Sequence, residues 1–186
     1  MSIAEYLKAL TIYRSMDRRF RAKTIRDTLQ GTVLFRDLSR LELSLVERIV
    51  HLRHYAAGET VFRTGERGLG LYVIHEGAVR IVLDQEDEVR EVALLEVGDF
   101  FGEVALVEDH AKRSATALAA RPTQLIGFFK PDLLELIDRK PHAGVKIAMA
   151  IASVLAQRLC AGAEDDEQQA APNDKGSNAC SQATGT

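Results

Sequence analysis

The chain has 186 residues, long enough for one domain with extensions and too short for two large domains with separate cores. Hydrophobic residues make up 46% and charged residues 27%, and the formal net charge is -3, so the composition is that of a globular protein without an overall basic footprint for nucleic acid. Charge interrupts every apolar stretch before the roughly 18 residues of a membrane span, the N-terminus lacks a signal peptide's apolar core, and Cys160 and Cys180 are too few for a disulfide framework, a zinc site or an iron–sulfur cluster. The expectation is a cytoplasmic protein with no transmembrane segment.

Residues 1–30 hold seven Lys/Arg against three acids, and Ile3, Leu7, Leu10, Tyr13, Met16 and Phe20 recur at helical steps, which predicts a basic, amphipathic helical extension that docks on this domain or on a partner. The folded body is expected over 31–161. It opens with Leu34, Phe35, Leu38, Leu41, Leu45, Ile49 and Leu52, a stripe that predicts a helix over about 39–52 with Asp37 or Ser39 as N-cap.

Next the period changes to two. ETVFR (59–63), LGLYVIH (69–75), AVRIVL (78–83), VREVALL (89–95), SATALAA (114–120) and TQLIGFF (123–129) read as short strands, separated by glycine corners and by the acidic turn DQEDE at 84–88. Many short strands with glycine corners predict a sandwich or rolled barrel. After Pro131 the spacing is helical again, first over 132–138 and then from Pro141 to about residue 160, where Val145, Ala148, Ile151, Val154/Leu155 and Leu159 are expected on one packed face, against the roll or a second copy. From Gly162 the sequence GAEDDEQQAAPNDKGSNACSQATGT predicts a disordered acidic tail over 162–186.

One segment concentrates the chemistry. GDFFGEVALVEDHAKRSAT (98–116) joins a Gly-Glu pair at the start of a short apolar run to an Arg-Ser pair ten residues on. A glycine allows close backbone approach, N–H groups at a helix start near Gly102 suit an anion, and the planar fork of Arg113 can hold two phosphate oxygens. Ser114 can donate one further bond, while ionised Glu103 suits a sugar hydroxyl.

This segment resembles the phosphate-binding cassette of the cyclic-nucleotide-binding domain family, which includes catabolite activator protein and the regulatory subunits of cAMP-dependent protein kinase. Phe101-Gly102-Glu103 and Arg113-Ser114-Ala115-Thr116 carry the match, and Gly58, Gly65, Leu71-Tyr72 and Gly77 extend it over about 130 residues. The resemblance implies a mainly β fold: an eight-stranded β-roll, or double-stranded β-helix of jelly-roll type, with N- and C-terminal α-helices. It implies a ligand-binding set of Phe101, Gly102, Glu103, Val104, Ala105, Arg113, Ser114 and Ala115, with Arg113 on the cyclic phosphate, Glu103 on the ribose 2′-hydroxyl, and Gly102, Ala105 and Ser114 adding polar contacts.

Ser114 beside Arg113 favours cAMP, with cGMP as the alternative. The stretch Leu159–Glu164, where relatives cover the purine, carries no aromatic or base-reading residue. The tail offers no DNA-binding module, so the expected partners are a cyclic nucleotide and an unidentified protein effector, with a homodimer left open. The expected role is a sensor, not an enzyme. The competing expectations are a degenerate fold kept as an interaction scaffold, which intact Glu103 and Arg113 oppose, and a cupin-like metalloenzyme, which needs several histidines where the roll offers His75. His51, His54, His110 and His142 are expected to be solvated, Cys160 to be a small buried hydrophobe, and no serine or cysteine lies in a nucleophile elbow.

Overall fold

The computed structural model describes residues 24–85 and 88–170. The expected extension helix at 3–20 and Cys180 lie outside them. Within the described residues the chain runs α1 (Ile25–Gly31), α2 (Arg40–Ile49), β1 (His51–Tyr55), β2 (Thr60–Phe62), β3 (Gly70–Glu76), β4 (Ala78–Gln85), β5 (Glu88–Glu96), β6 (Phe100–Phe101), α3 (Val104–Val107), β7 (Thr116–Ala119), β8 (Thr123–Phe129), α4 (Lys130–Arg139) and α5 (Pro141–Ala170). The strands form two antiparallel sheets, ordered β1-β8-β3-β6 and β2-β7-β4-β5, which face each other as a roll. This is the expected mainly β architecture with flanking helices.

Period-two sequences divide their side chains between two cores. On β3, Leu71 and Val73 pair in register with Phe128 and Ile126 of β8, and all four face the helices. The alternate residues Ile74 and Leu125 face between the sheets, with Ile81, Leu95, Phe101 and Ala117. Two strands were not expected. β1 occupies the end of the expected α2 helix; at the sheet edge, with nearly every side chain exposed, it shows no burial pattern to read and is held by backbone pairing to β8. β6 is only two residues long.

The helices follow their caps more closely than their stripes. Ser39 starts α2 through a reciprocal capping box with Glu42, as one of the two expected caps. The phase differs from expectation: Leu41 is 82% exposed, whereas Leu43 and Val46 are buried, because Leu34, Phe35 and Leu38 reach the core from the preceding turn rather than from the helix. α1 falls at the end of the expected extension, yet Leu29 is fully buried and Thr28 is hydrogen-bonded to His75 Nδ1 of β3 at 2.7 Å. The described fold therefore includes residues before 31.

Helix α5 departs from expectation twice. Its buried face is Ala143, Ile147, Ile151, Val154 and Arg158, while Val145 and Leu159 are 53% and 54% exposed, and Cys160 is exposed rather than buried. It also runs past Gly162 to Ala170, through the start of the segment expected to be disordered. Low hydrophobicity argues against packing, but extending a nucleated helix through Ala, Glu and Gln is cheap. By length and composition Pro141–Cys160 could cross a membrane; in this fold one of its faces is buried against the core.

Candidate phosphate and ribose site

Arg113 is positioned by its backbone before its side chain. Its N–H donates to Glu66 O and its carbonyl accepts from Gly65 N, both at 2.8 Å, and Gly68 N donates to Ala111 O at 2.8 Å, so the β2–β3 turn and the segment before β7 are stitched together around it. The side chain then turns inward and is 8% exposed. Nη1 donates to Gly102 O at 3.1 Å and Nη2 to Gly70 O at 2.9 Å, while Nε is buried without a partner. Burial pushes the guanidinium below its ordinary pKa, against the opposing fields of Tyr72, Glu103 and Glu66.

Gly102 makes this approach possible. It takes φ +83, and a Cβ there would collide with Arg113 Nη1. The chain then enters α3, where Ala105 N donates to Gly102 O and Leu106 N to Glu103 O. Phe101, Glu103 and Ala105 are buried, Gly102 and Val104 half-buried and Ser114 exposed; Ala115 belongs to the core between the sheets. Gly102, Glu103 and Arg113 are thus brought together, while Ser114 and Ala115, adjacent in sequence, face apart.

The carboxylate of Glu103 is not open to solvent. It is 2% exposed and ion-paired with Arg158 of α5, itself 1% exposed and the bulkiest fully buried side chain described. The Arg158 guanidinium also sits 5.1 Å from the Phe100 ring centroid, with Nε unpartnered. Arg158 was missed in the sequence, although steps of four, four, three and four from Ala143 place it on the helix's apolar face, where an arginine calls for a partner. Phe62 was missed too; the Arg113 guanidinium carbon lies 4.1 Å from its ring centroid.

The arrangement suits recognition of an anion next to a hydroxyl. One buried cation has only carbonyl and ring partners, and one buried carboxylate lies on the same cassette. Among the described residues no group of three or more His, Cys, Asp or Glu is placed to hold a metal ion, and His75 is engaged with Thr28. His51, His54, His110 and His142 are exposed, as expected.

Residues 52–140 match the family model of the cyclic nucleotide-binding domain. The chain is 36% identical over 132 residues to the cyclic AMP receptor protein of Thermus thermophilus, covering 70% of this chain and 59% of that protein. It is 37% identical over 95 residues to a cAMP-dependent protein kinase regulatory subunit of Mycosarcoma maydis, covering 51% and 18%. The crystal structure of the Thermus thermophilus catabolite activator protein superposes with a TM-score of 0.67 at 33% identity, over 74% of this chain and 63% of that one. The chain spans less than two thirds of the length of these relatives.

Proposed function

Residues 52–140 belong to the cyclic nucleotide-binding domain family, and from that premise we propose that the chain is a cAMP sensor rather than an enzyme: Arg113 receives the cyclic phosphate, Glu103 the ribose 2′-hydroxyl, and α4 and α5 pass occupancy to a protein partner. The observation that carries this reading is the buried Arg113 guanidinium, which among the described residues has no ion-pair partner and keeps an unclaimed Nε–H. Gly102, Val104 and Ala105 supply the adjoining corner and first helical turn, and Phe101, Ser114 and Ala115 flank it. Relatives named for cAMP stand beside cGMP-dependent protein kinases of 33–35% identity, so Ser114 is what favours cAMP, and cGMP is the competing ligand.

The signalling logic is that a ligand shifts an equilibrium only by its differential affinity for two states. α5 is the element to be shifted, because its Arg158 ends on the carboxylate assigned to the ribose. Its outer face offers a surface for the response. Val145, Met149, Ala152, Ala156 and Leu159 are exposed at steps of four, three, four and three, the spacing of a two-helix seam, which supports a homodimer through α5.

Calorimetric titration with cAMP, cGMP and a cyclic dinucleotide tests the reading. Saturating cAMP at 100 times its dissociation constant raises stability by about 2.7 kcal/mol. A folded protein that takes up none of the three is a scaffold, and the sensor reading then fails.

A further inference from the structure

A buried guanidinium is ordinarily neutralised by a carboxylate, and Arg158 follows that rule. Arg113 does not. Two backbone carbonyls hold one edge of its fork, and its carbon lies 4.1 Å from the centroid of the Phe62 ring. Phe62 is itself set among other rings, 5.7 Å from Phe101 and 6.2 Å from Tyr72, and Tyr72 and Phe101 are 5.7 Å apart and stacked. The ring under Arg113 therefore belongs to a packed aromatic cluster.

The chemistry of these partners differs from that of a carboxylate in one respect. A carboxylate would fix the guanidinium and cancel its charge, and it would repel an incoming phosphate. Carbonyl dipoles and a π face attract the cation and define its plane, yet leave a full positive charge for an anion to meet. We propose that Phe62 is a positioning residue for Arg113: its ring holds the guanidinium in plane, with the charge uncancelled, for a monoanionic phosphodiester. Phe62 acts through Arg113 and need not touch the ligand. The inference rests on the cyclic-nucleotide reading for its ligand and on the ring geometry for its mechanism.

The test is a cycle of Phe62→Leu and Arg113→Lys, read by cAMP titration, with Phe62→Trp as the variant that restores a π face. Phe62→Leu is expected to weaken cAMP about tenfold in the native background, the range of a desolvated cation–π contact. In the Arg113→Lys background the loss should be less than about twofold, because an ammonium on a flexible stem offers no planar fork for the Gly102 and Gly70 carbonyls to hold over the ring. Phe62→Trp should bind within about threefold of the native chain, because indole is the stronger π partner. A ring that merely fills space would weaken both backgrounds alike, and equal factors, or no loss in Phe62→Leu, overturn the proposal. A second readout needs no nucleotide. The Arg113 side-chain resonances of the free protein should lie upfield through the ring current and return toward random-coil positions in Phe62→Leu. If the native chain binds no cyclic nucleotide, the sensor reading falls, and an unshifted Arg113 then overturns the positioning role as well.

Discussion

The cassette and helix α5 each bury an arginine, and the two are treated in opposite ways. Arg113 and Arg158 are 8% and 1% exposed, both lie over a phenylalanine ring, and both leave Nε without a partner. Arg158 faces the carboxylate of Glu103, whereas Arg113 faces the carbonyls of Gly102 and Gly70. Burial alone does not make an arginine an anion site; what decides is whether its charge has already been cancelled. Arg158 also removes the nearby carboxylate as a competitor for Arg113, so the structural pair helps keep the other charge available.

The comparison breaks most visibly in stability. Arg158→Met leaves the Glu103 carboxylate buried without its countercharge and should cost about 3–5 kcal/mol in urea unfolding, while adding Glu103→Gln should recover most of the loss, since removing both charges is often close to neutral. If the double variant is no better than the single one, the pair is not what Arg158 contributes.

Arg113→Ala should show the reverse balance. Binding of cAMP is expected to fall by about 2–5 kcal/mol, because the anion loses its countercharge, whereas the ligand-free protein loses only about 1–3 kcal/mol, since no carboxylate is stranded. Glu103→Ala should cost the nucleotide less, about 1.5–3 kcal/mol through one charge-assisted bond. Titration and unfolding of the same samples separate the two effects, and a larger stability loss than binding loss for Arg113→Ala would place it with Arg158 as a structural cation.

The smallest effect concerns the other ion pair that ties α5 to the body. Lys146 Nζ donates to Glu42 Oε2 at 2.8 Å, and the bonds from Lys146 and from Ser39 N–H hold the Glu42 carboxyl down from 4.5 to about 2. A depressed folded-state pKa contributes stability that is complete above about pH 4.5 and lost as the pH falls toward 2. Glu42→Gln should therefore flatten the fall of the melting midpoint across that window by lowering its upper end, by no more than the about 0–1 kcal/mol that a partly exposed pair is worth at pH 7, and change little near pH 2. An equally steep acid limb in Glu42→Gln would assign the acid sensitivity to other carboxylates.

Much of the site was legible because its devices are local. A glycine beside a glutamate, an arginine ten residues on, and period-two runs between glycine corners are patterns over a few residues, and Ser39, one of two candidate caps, marks a helix start in the same way. Legibility failed where burial depends on what lies opposite. Leu41 is exposed and Leu43 buried because residues 34–38 enter the core ahead of α2, and β1 is a strand of mostly exposed side chains whose place is set by its backbone pairing to β8. On α5 the expected face mixed two apolar stripes: Ile151 and Val154 lie on the buried one, Val145 and Leu159 on the exposed one, and spacing alone does not separate them.

By itself the sequence determined the order of six of the eight strands, the helices before and after them, the glycine corner at 102 and the presence of an arginine and a glutamate on one cassette, since each depends on propensity and spacing along the chain. Tertiary structure decided which partner each buried charge meets. Glu103 finds Arg158 across 55 positions, and Arg113 finds a carbonyl 43 positions away on β3. No local pattern records such pairings. They depend on how α5 crosses the cassette and on which way two glycine carbonyls point, and a low-dielectric interior makes those orientations decide whether a charge is spent in the fold or kept for a ligand.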